Sequence, residues 1–325
     1  MLGPTDIKGV CAMVPTPCKA GADGWEATDS VDLDEAARMT EKLIRDGVGM
    51  IAACGTTGEC AALLWEEKRA FVATLARVNR GRVPLFAGAT ALGTKEIIRQ
   101  MRGLKEVGAD GAFVGLPLWQ TPTLDNSVEF FADLSAAVPD MPIMVYANPM
   151  FFKSTFPTAF WEGVAKRAPN VITTKVTYNV DQIKDDVAVA GDRINFMPGQ
   201  NSIYPAYKML RTGLTAVWST SAAMGPEPIV ALMDAIAADD ADRVDRIWED
   251  IGSVPSMIPR GEFEHFPEYN AQVEKARFNA AGYINAGPWR APYRDLPAQW
   301  AEQAEAHGKG WATLRAKYAR PVPAR

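Results

Sequence analysis

Eight short apolar runs recur along the chain, each followed by a stretch with helical spacing. This alternation constrains the fold more than any other feature. The runs are GVCAMVP (9–15), GMIAAC (49–54), VPLFAGA (83–89), GAFVGL (111–116), PIMVYA (142–147), VITTKV (171–176), RINFMPG (193–199) and LTAVWST (214–220). Near-continuous apolar character suits strands covered on both faces, as in a parallel sheet. Between them, DLDEAARMTEKLIRDG (32–47), WEEKRAFVATLARVNRG (65–81) and TKEIIRQMRGLKEVG (94–108) carry helical periodicity and close on glycine. Further helices are expected over about 157–167, 180–190, 202–212 and 226–238. Eight such units without a break in composition predict an α/β fold, a (β/α)8 TIM barrel over residues 1–240. A doubly wound open sheet is the alternative.

After residue 239 the pattern is helical only. ADRVDRIWEDIGSV (241–254), NAQVEKARFNAAGY (270–283) and LPAQWAEQAEAHGKGWATLRAKYA (296–319) are helix candidates, and a linker rich in Pro and Gly spans 284–297. Residues 241–325 are therefore expected to form additional C-terminal helices packed on the barrel, with the last residues, RPVPAR, frayed.

Composition narrows the function classes. Lys+Arg number 34 against Asp+Glu 39 and no basic block occurs, which argues against a nucleic-acid partner. No signal peptide and no apolar run of membrane-spanning length is read. Cys11, Cys18, Cys54 and Cys60 form no C-x-x-C pair, so reduced thiols and a cytoplasmic location are expected. His265 and His307 are the only histidines, which weakens a metal site built on imidazole.

In such barrels, chemistry sits at the C-terminal ends of the strands. Lys175 stands near the end of the sixth run among apolar residues and threonines. Buried, it would lose affinity for its proton and could attack a ketone to form a Schiff base; otherwise it snorkels to solvent. Tyr146 ends the fifth run, one strand away. It reads either as a proton shuttle or as a core tyrosine bonded to backbone. Asn148-Pro149 then breaks the strand into a loop. Trp119 and Trp218 follow the fourth and eighth runs and together suggest a wide apolar ligand surface, although either alone reads as core. Gly55-Thr56-Thr57-Gly58 follows the second run. Its threonine amides could cradle an anion, or the glycines could simply permit a tight turn. Taken together, these groups predict a site for a small 2-oxo acid, with its carboxylate on the Thr loop and its ketone at Lys175.

The segments GTTGECAALLWEEKRAFV, GAFVGLPLW, MVYANP and TTKV, in this order, resemble the pyruvate-dependent class I aldolases of the dihydrodipicolinate synthase and N-acetylneuraminate lyase superfamily. The resemblance implies Lys175 as the Schiff-base lysine and Tyr146 as proton relay. It further implies Thr56-Thr57 as carboxylate binders, a homotetramer of barrels, and no metal or organic cofactor. Two departures argue against lysine biosynthesis. Pro117-Leu118-Trp119 places tryptophan where the synthases have a relay tyrosine, and YANPMFFKSTF offers only Lys153 where they carry arginine.

VPTP near the start, CGTTGEC, LPLW, YANP, AVWST and FPEYNAQVEKARFNAAGYINAGPWRAPY resemble one branch, the hydratase-aldolases of bacterial aromatic catabolism. These act on trans-o-hydroxybenzylidenepyruvate or trans-2′-carboxybenzalpyruvate. The branch implies Trp218 and Asn270 as further site residues; read from the sequence alone, Asn270 is a helix cap. The carboxylated substrate is favoured on overall likeness. A sibling lyase for aliphatic sugar acids and a non-enzymatic 2-oxo-acid sensor are the alternatives. The tryptophans and missing arginine weigh against the first, and Lys175 with Tyr146 against the second.

Overall fold

The computed structural model describes residues 1–319, so the expected fraying of RPVPAR lies outside the described residues. Eight parallel strands form one sheet: β1 (Gly9–Met13), β2 (Met50–Ala53), β3 (Leu85–Gly88), β4 (Gly111–Val114), β5 (Ile143–Ala147), β6 (Val171–Val176), β7 (Asn195–Met197) and β8 (Ala216–Ser219). β8 pairs with β1, and a bridge between Gly199 and Trp218 brings β7 to β8. The sheet thus closes into a (β/α)8 barrel, and the open-sheet alternative is excluded. Almost every strand residue is buried, as continuous apolar runs require.

The connecting helices are α1 (Leu33–Arg45), α2 (Trp65–Asn79), α3 (Thr94–Glu106), α4 (Leu124–Ala137), a single turn α5 (Pro149–Phe152), α6 (Thr158–Arg167), α7 (Ile183–Ala190), α8 (Ile203–Leu210) and α9 (Glu227–Ala237). Side-chain caps fix several starts. Asp32 accepts from the Glu35 amide at α1, and Thr123 from the Asn126 amide at α4. The sequence pattern places only a loop after β5. Instead, the Asn148 side chain accepts from the amides of Met150 and Phe151 and starts α5, with Pro149 in the first turn, where its missing N–H costs nothing.

The tail forms α10 (Ala241–Gly252), α11 (Phe266–Ala281) and α12 (Ala298–Tyr318). α11 starts at Phe266, four residues ahead of Asn270, with Pro267 in its first turn, so Asn270 is not a cap but stands one turn inside the helix. Phe278, Tyr283, Ile284, Trp311 and Leu314 join the same buried cluster as the strands, and the Trp311 indole N–H donates to the Gly225 carbonyl at 2.9 Å. Truncating an enclosed aromatic of this kind costs about 3–5 kcal/mol. The tail is therefore part of the core, which lets α11 overlook the barrel mouth at a fixed height. Among the described residues, no helix is long and apolar enough to cross a membrane.

Candidate active site

Lys175 and Tyr146 are register partners on adjacent strands β6 and β5. The Lys175 side chain does not snorkel: the residue is 6% exposed. Its Nζ sits 3.6 Å from the Trp218 ring centroid and 4.4 Å from that of Tyr146. Burial pushes its pKa down to about 7, opposed by the negative charge of Glu274. No described carboxylate forms an ion pair with it. A sizeable neutral fraction at neutral pH makes this amine a nucleophile.

Tyr146 is held by aromatic packing, stacked on Phe113 with centroids 4.6 Å apart and edge-on to Phe152 at 5.0 Å. Its hydroxyl lies 3.1 Å from Thr56 Oγ1 and accepts from Asn148 Nδ2 at 3.4 Å. Burial pushes the phenol up to about 12. It therefore keeps its proton at neutral pH. Asn148 serves twice, capping α5 and donating to the Tyr146 hydroxyl. Sequence reading saw it only as a strand breaker, although Asn before Pro at a strand exit is an N-cap signal.

The loop after β2 is a tight turn whose conformational demands fall on unexpected residues. The left-handed positions are Cys54 (φ 57°) and Glu59 (φ 51°), not Gly55 or Gly58. Gly55 is required by close approach instead, since a Cβ there would lie 2.9 Å from Phe113 Cε1, on the ring that stacks Tyr146. The Gly55 carbonyl accepts from the amides of Gly58 and Cys60, and the Thr56 carbonyl from that of Glu59. Among the described residues, the Thr56 and Thr57 amides have no acceptor, which leaves them available to an anion. Burial pushes the Cys54 thiol up to about 12 and raises that of Cys60, so neither acts as a nucleophile at neutral pH.

A match to the dihydrodipicolinate synthetase family covers residues 14–305. The chain belongs to this family. A trans-o-hydroxybenzylidenepyruvate hydratase-aldolase from Pseudomonas putida is 41% identical over 97% of this chain and 96% of that protein. A trans-2′-carboxybenzalpyruvate hydratase-aldolase from a Nocardioides species is 36% identical over 96% and 95%. A solved structure, PhdJ bound to a substrate intermediate, superposes with a TM-score of 0.94 at 36% identity, covering 98% of this chain and 99% of that one.

Within this family member, Lys175, Tyr146, Thr57, Trp218 and Asn270 line one cavity of about 640 Å³. The Trp218 indole N–H donates to the Val176 carbonyl at 2.8 Å, which fixes the ring over Lys175. Thr56 joins through Tyr146. Trp119 does not line this cavity: the segment after β4 carries it outward, and it is 86% exposed. Asn270 is 8% exposed, and its Oδ1 is buried without a partner. The cavity has a polar end at the barrel and an apolar end built by the tail, where Trp248, Ile251, Met257, Ile258, Phe263 and Phe266 form the wall. The sequence pattern does not assign that wall: Trp248 and Ile251 read as part of a helix, and Met257, Ile258, Phe263 and Phe266 fall between the expected helices.

Proposed function

We propose that the chain is a Schiff-base-forming hydratase-aldolase that adds water to a 4-aryl-2-oxobut-3-enoate and cleaves the product to an aromatic aldehyde and pyruvate. The observation that carries this reading is a buried amine with lowered pKa at the polar end of a cavity whose other end is apolar and large enough for an aryl ring. The carboxylate docks on the free Thr56 and Thr57 amides. Lys175 condenses with the ketone and releases water, and Tyr146 with Thr56 moves the protons. The iminium is conjugated through the alkene, so the benzylic carbon accepts water, oriented by Asn270. Loss of the new hydroxyl's proton then breaks the carbon–carbon bond. The electron pair enters the imine as an enamine, which is protonated and hydrolysed to pyruvate. The imine is the electron sink for both steps, so the reaction draws on no metal or organic cofactor. A cytoplasmic homotetramer, each chain a barrel (1–240) with its helical extension (241–325), belongs to the same reading.

The walls bear on the ring substituent. Among the described residues, Lys175 and Arg277 are the lysine and arginine that line the cavity, and Arg277 is already paired with Glu274. Burial and the neighbouring Arg277 push His307 down to about 3, so it is neutral at neutral pH. Among the described residues lining the cavity an ortho carboxylate would find no free cation beyond Lys175 itself, which favours an ortho hydroxyl over the carboxylate expected from overall likeness.

The test is reduction with borohydride in the presence of pyruvate, read by mass spectrometry, beside specificity constants for trans-o-hydroxybenzylidenepyruvate and trans-2′-carboxybenzalpyruvate. An adduct on Lys175 and faster cleavage of the hydroxylated substrate are expected. No adduct on Lys175 overturns the chemistry and revives the sensor. A higher constant for the carboxylated substrate overturns only the assignment of the ring.

A further inference from the structure

Asn270, Glu274 and Arg277 stand at i, i+4 and i+7 on α11, on one face of the helix, and all three line the cavity that contains Lys175. The proposed reading uses Asn270 but leaves unassigned the group that removes protons at the benzylic carbon. Glu274 is 2% exposed. Arg277 donates to a single one of its oxygens, Oε2, from Nε at 3.1 Å and from Nη2 at 2.6 Å. Arg277 is itself held by the hydroxyls of Ser221, at 3.0 Å, and Thr220, and it contacts His307 Nε2 at 3.0 Å. Glu274 Oε1 receives no hydrogen bond from any described residue. A buried carboxylate with one oxygen clamped and the other unengaged at a cavity wall calls for a donor inside that cavity. The neighbouring Asn270 Oδ1, buried and unpartnered, marks the same place as one built for a bound polar group.

We infer that Glu274 is the general base of both halves of the reaction, with Asn270 beside it orienting the water. This rests on the hydratase-aldolase reading. In hydration, Oε1 takes a proton from water as the oxygen bonds to the benzylic carbon. The alkene pair shifts toward the imine to give an enamine, and the proton returns to the adjacent carbon, so that one water is added overall. In cleavage, the same oxygen takes the proton of the new hydroxyl, the carbon–carbon bond breaks, and its electron pair again enters the imine. A single carboxylate suffices because both protons leave an oxygen on the same carbon. The ionisable groups facing it are Arg277 on α11, Lys175 on β6, Tyr146 on β5 and His307 on α12. Glu274 acts electrostatically on both Lys175 and Tyr146.

Glu274→Gln tests this with trans-o-hydroxybenzylidenepyruvate as substrate. Turnover is expected to fall by about 10²–10⁴-fold. The borohydride-trapped pyruvate adduct on Lys175 is expected to persist. Glu274→Asp should recover part of the rate. Turnover within about threefold of wild type overturns the inference, and so does equal loss of adduct and turnover, which marks a purely structural role. If the single variant unfolds because Arg277 is left unpaired, the charge-balanced Glu274→Gln/Arg277→Gln pair replaces it and is read the same way. A wild-type protein that cleaves no aryl substrate overturns the underlying reading and is seen before any variant is made.

Discussion

The Glu59 carboxylate meets the Lys275 ammonium at 2.5 Å, with both side chains wholly shut off from water. Arg290 supplies a second cation at 2.6 Å and donates its own amide to the other Glu59 oxygen at 3.0 Å. Lys275 also donates to the Pro288 carbonyl, and the Arg290 guanidinium to the carbonyls of Thr16 and Pro17. Glu59 immediately follows the Gly55–Gly58 loop, so a buried ionic knot fastens the proposed carboxylate cradle to the tail. On α11 the adjacent residues Glu274 and Lys275 thus serve different ends, one lining the cavity and one gripping the loop.

Glu59→Gln should therefore damage stability and substrate binding together. It leaves two buried cations without their anion, a change that costs about 3–5 kcal/mol when one partner of a buried pair is removed. Denaturant unfolding should show that loss, and the Kd for pyruvate should rise as the loop loses its anchor. An unchanged denaturation midpoint would mean the knot is already offset by its own desolvation.

Tyr146→Phe keeps the ring contacts with Phe113 and Phe152 and removes only the hydroxyl that meets Thr56 and Asn148. Turnover should fall by about 10²–10³-fold while the Kd for pyruvate moves far less, since in the proposed mechanism the hydroxyl transfers protons rather than holding the ligand. Thr56→Val should act in the same direction. Equal losses in kcat and pyruvate affinity would assign the hydroxyl to binding instead.

The barrel was legible because its periodicities are local: eight apolar runs and the helices between them each declare themselves within a dozen residues. Lys175 and Tyr146 were legible for the same reason, as polar groups in strands that had to be buried. Glu59, Lys275, Arg290 and Glu274 were not. Glu59 and Arg290 lie 231 residues apart, and nothing in either neighbourhood marks a charge that will be desolvated. In α11, Glu274, Lys275 and Arg277 are all buried because the helix is covered on several sides, so no amphipathic stripe separates inside from outside. Trp119 shows the opposite failure: chain order puts it after a strand, but the direction of the following segment is not written in spacing.

Gly199 is fixed by a neighbour rather than by its backbone. A Cβ there would lie 2.5 Å from Trp218 Cζ2, so Gly199→Ala must push the indole off its seat over Lys175. The specificity constant for an aryl substrate should drop by about tenfold or more, the scale of a displaced contact in a hydrophobic pocket. The extent of borohydride trapping with pyruvate should change less. A variant equal to wild type on both would show that the ring has room to move without consequence.

Lys175 gives the last prediction, on stability and pH. Its folded-state pKa of about 7 lies below the ordinary 10.5, so between those values the unfolded chain binds the extra proton and stability rises with pH. Below about 7 both states are protonated, and the cost of burying the ammonium is at its full size. Lys175→Met removes that cost and fills the same space with an apolar chain. It should be inactive yet more stable than wild type at pH 6.5, by on the order of 1–3 kcal/mol once the lost contacts with Trp218 and Tyr146 are allowed for. The advantage should shrink as pH approaches 10. In the proposed mechanism only the neutral amine attacks, so kcat/KM of the wild type should fall about tenfold per pH unit below neutrality. Denaturation midpoints of both proteins at pH 6.5 and 9.5 decide the matter. A methionine variant less stable at the lower pH, or an advantage that grows with pH, would mean that Lys175 is buried without the penalty its surroundings impose.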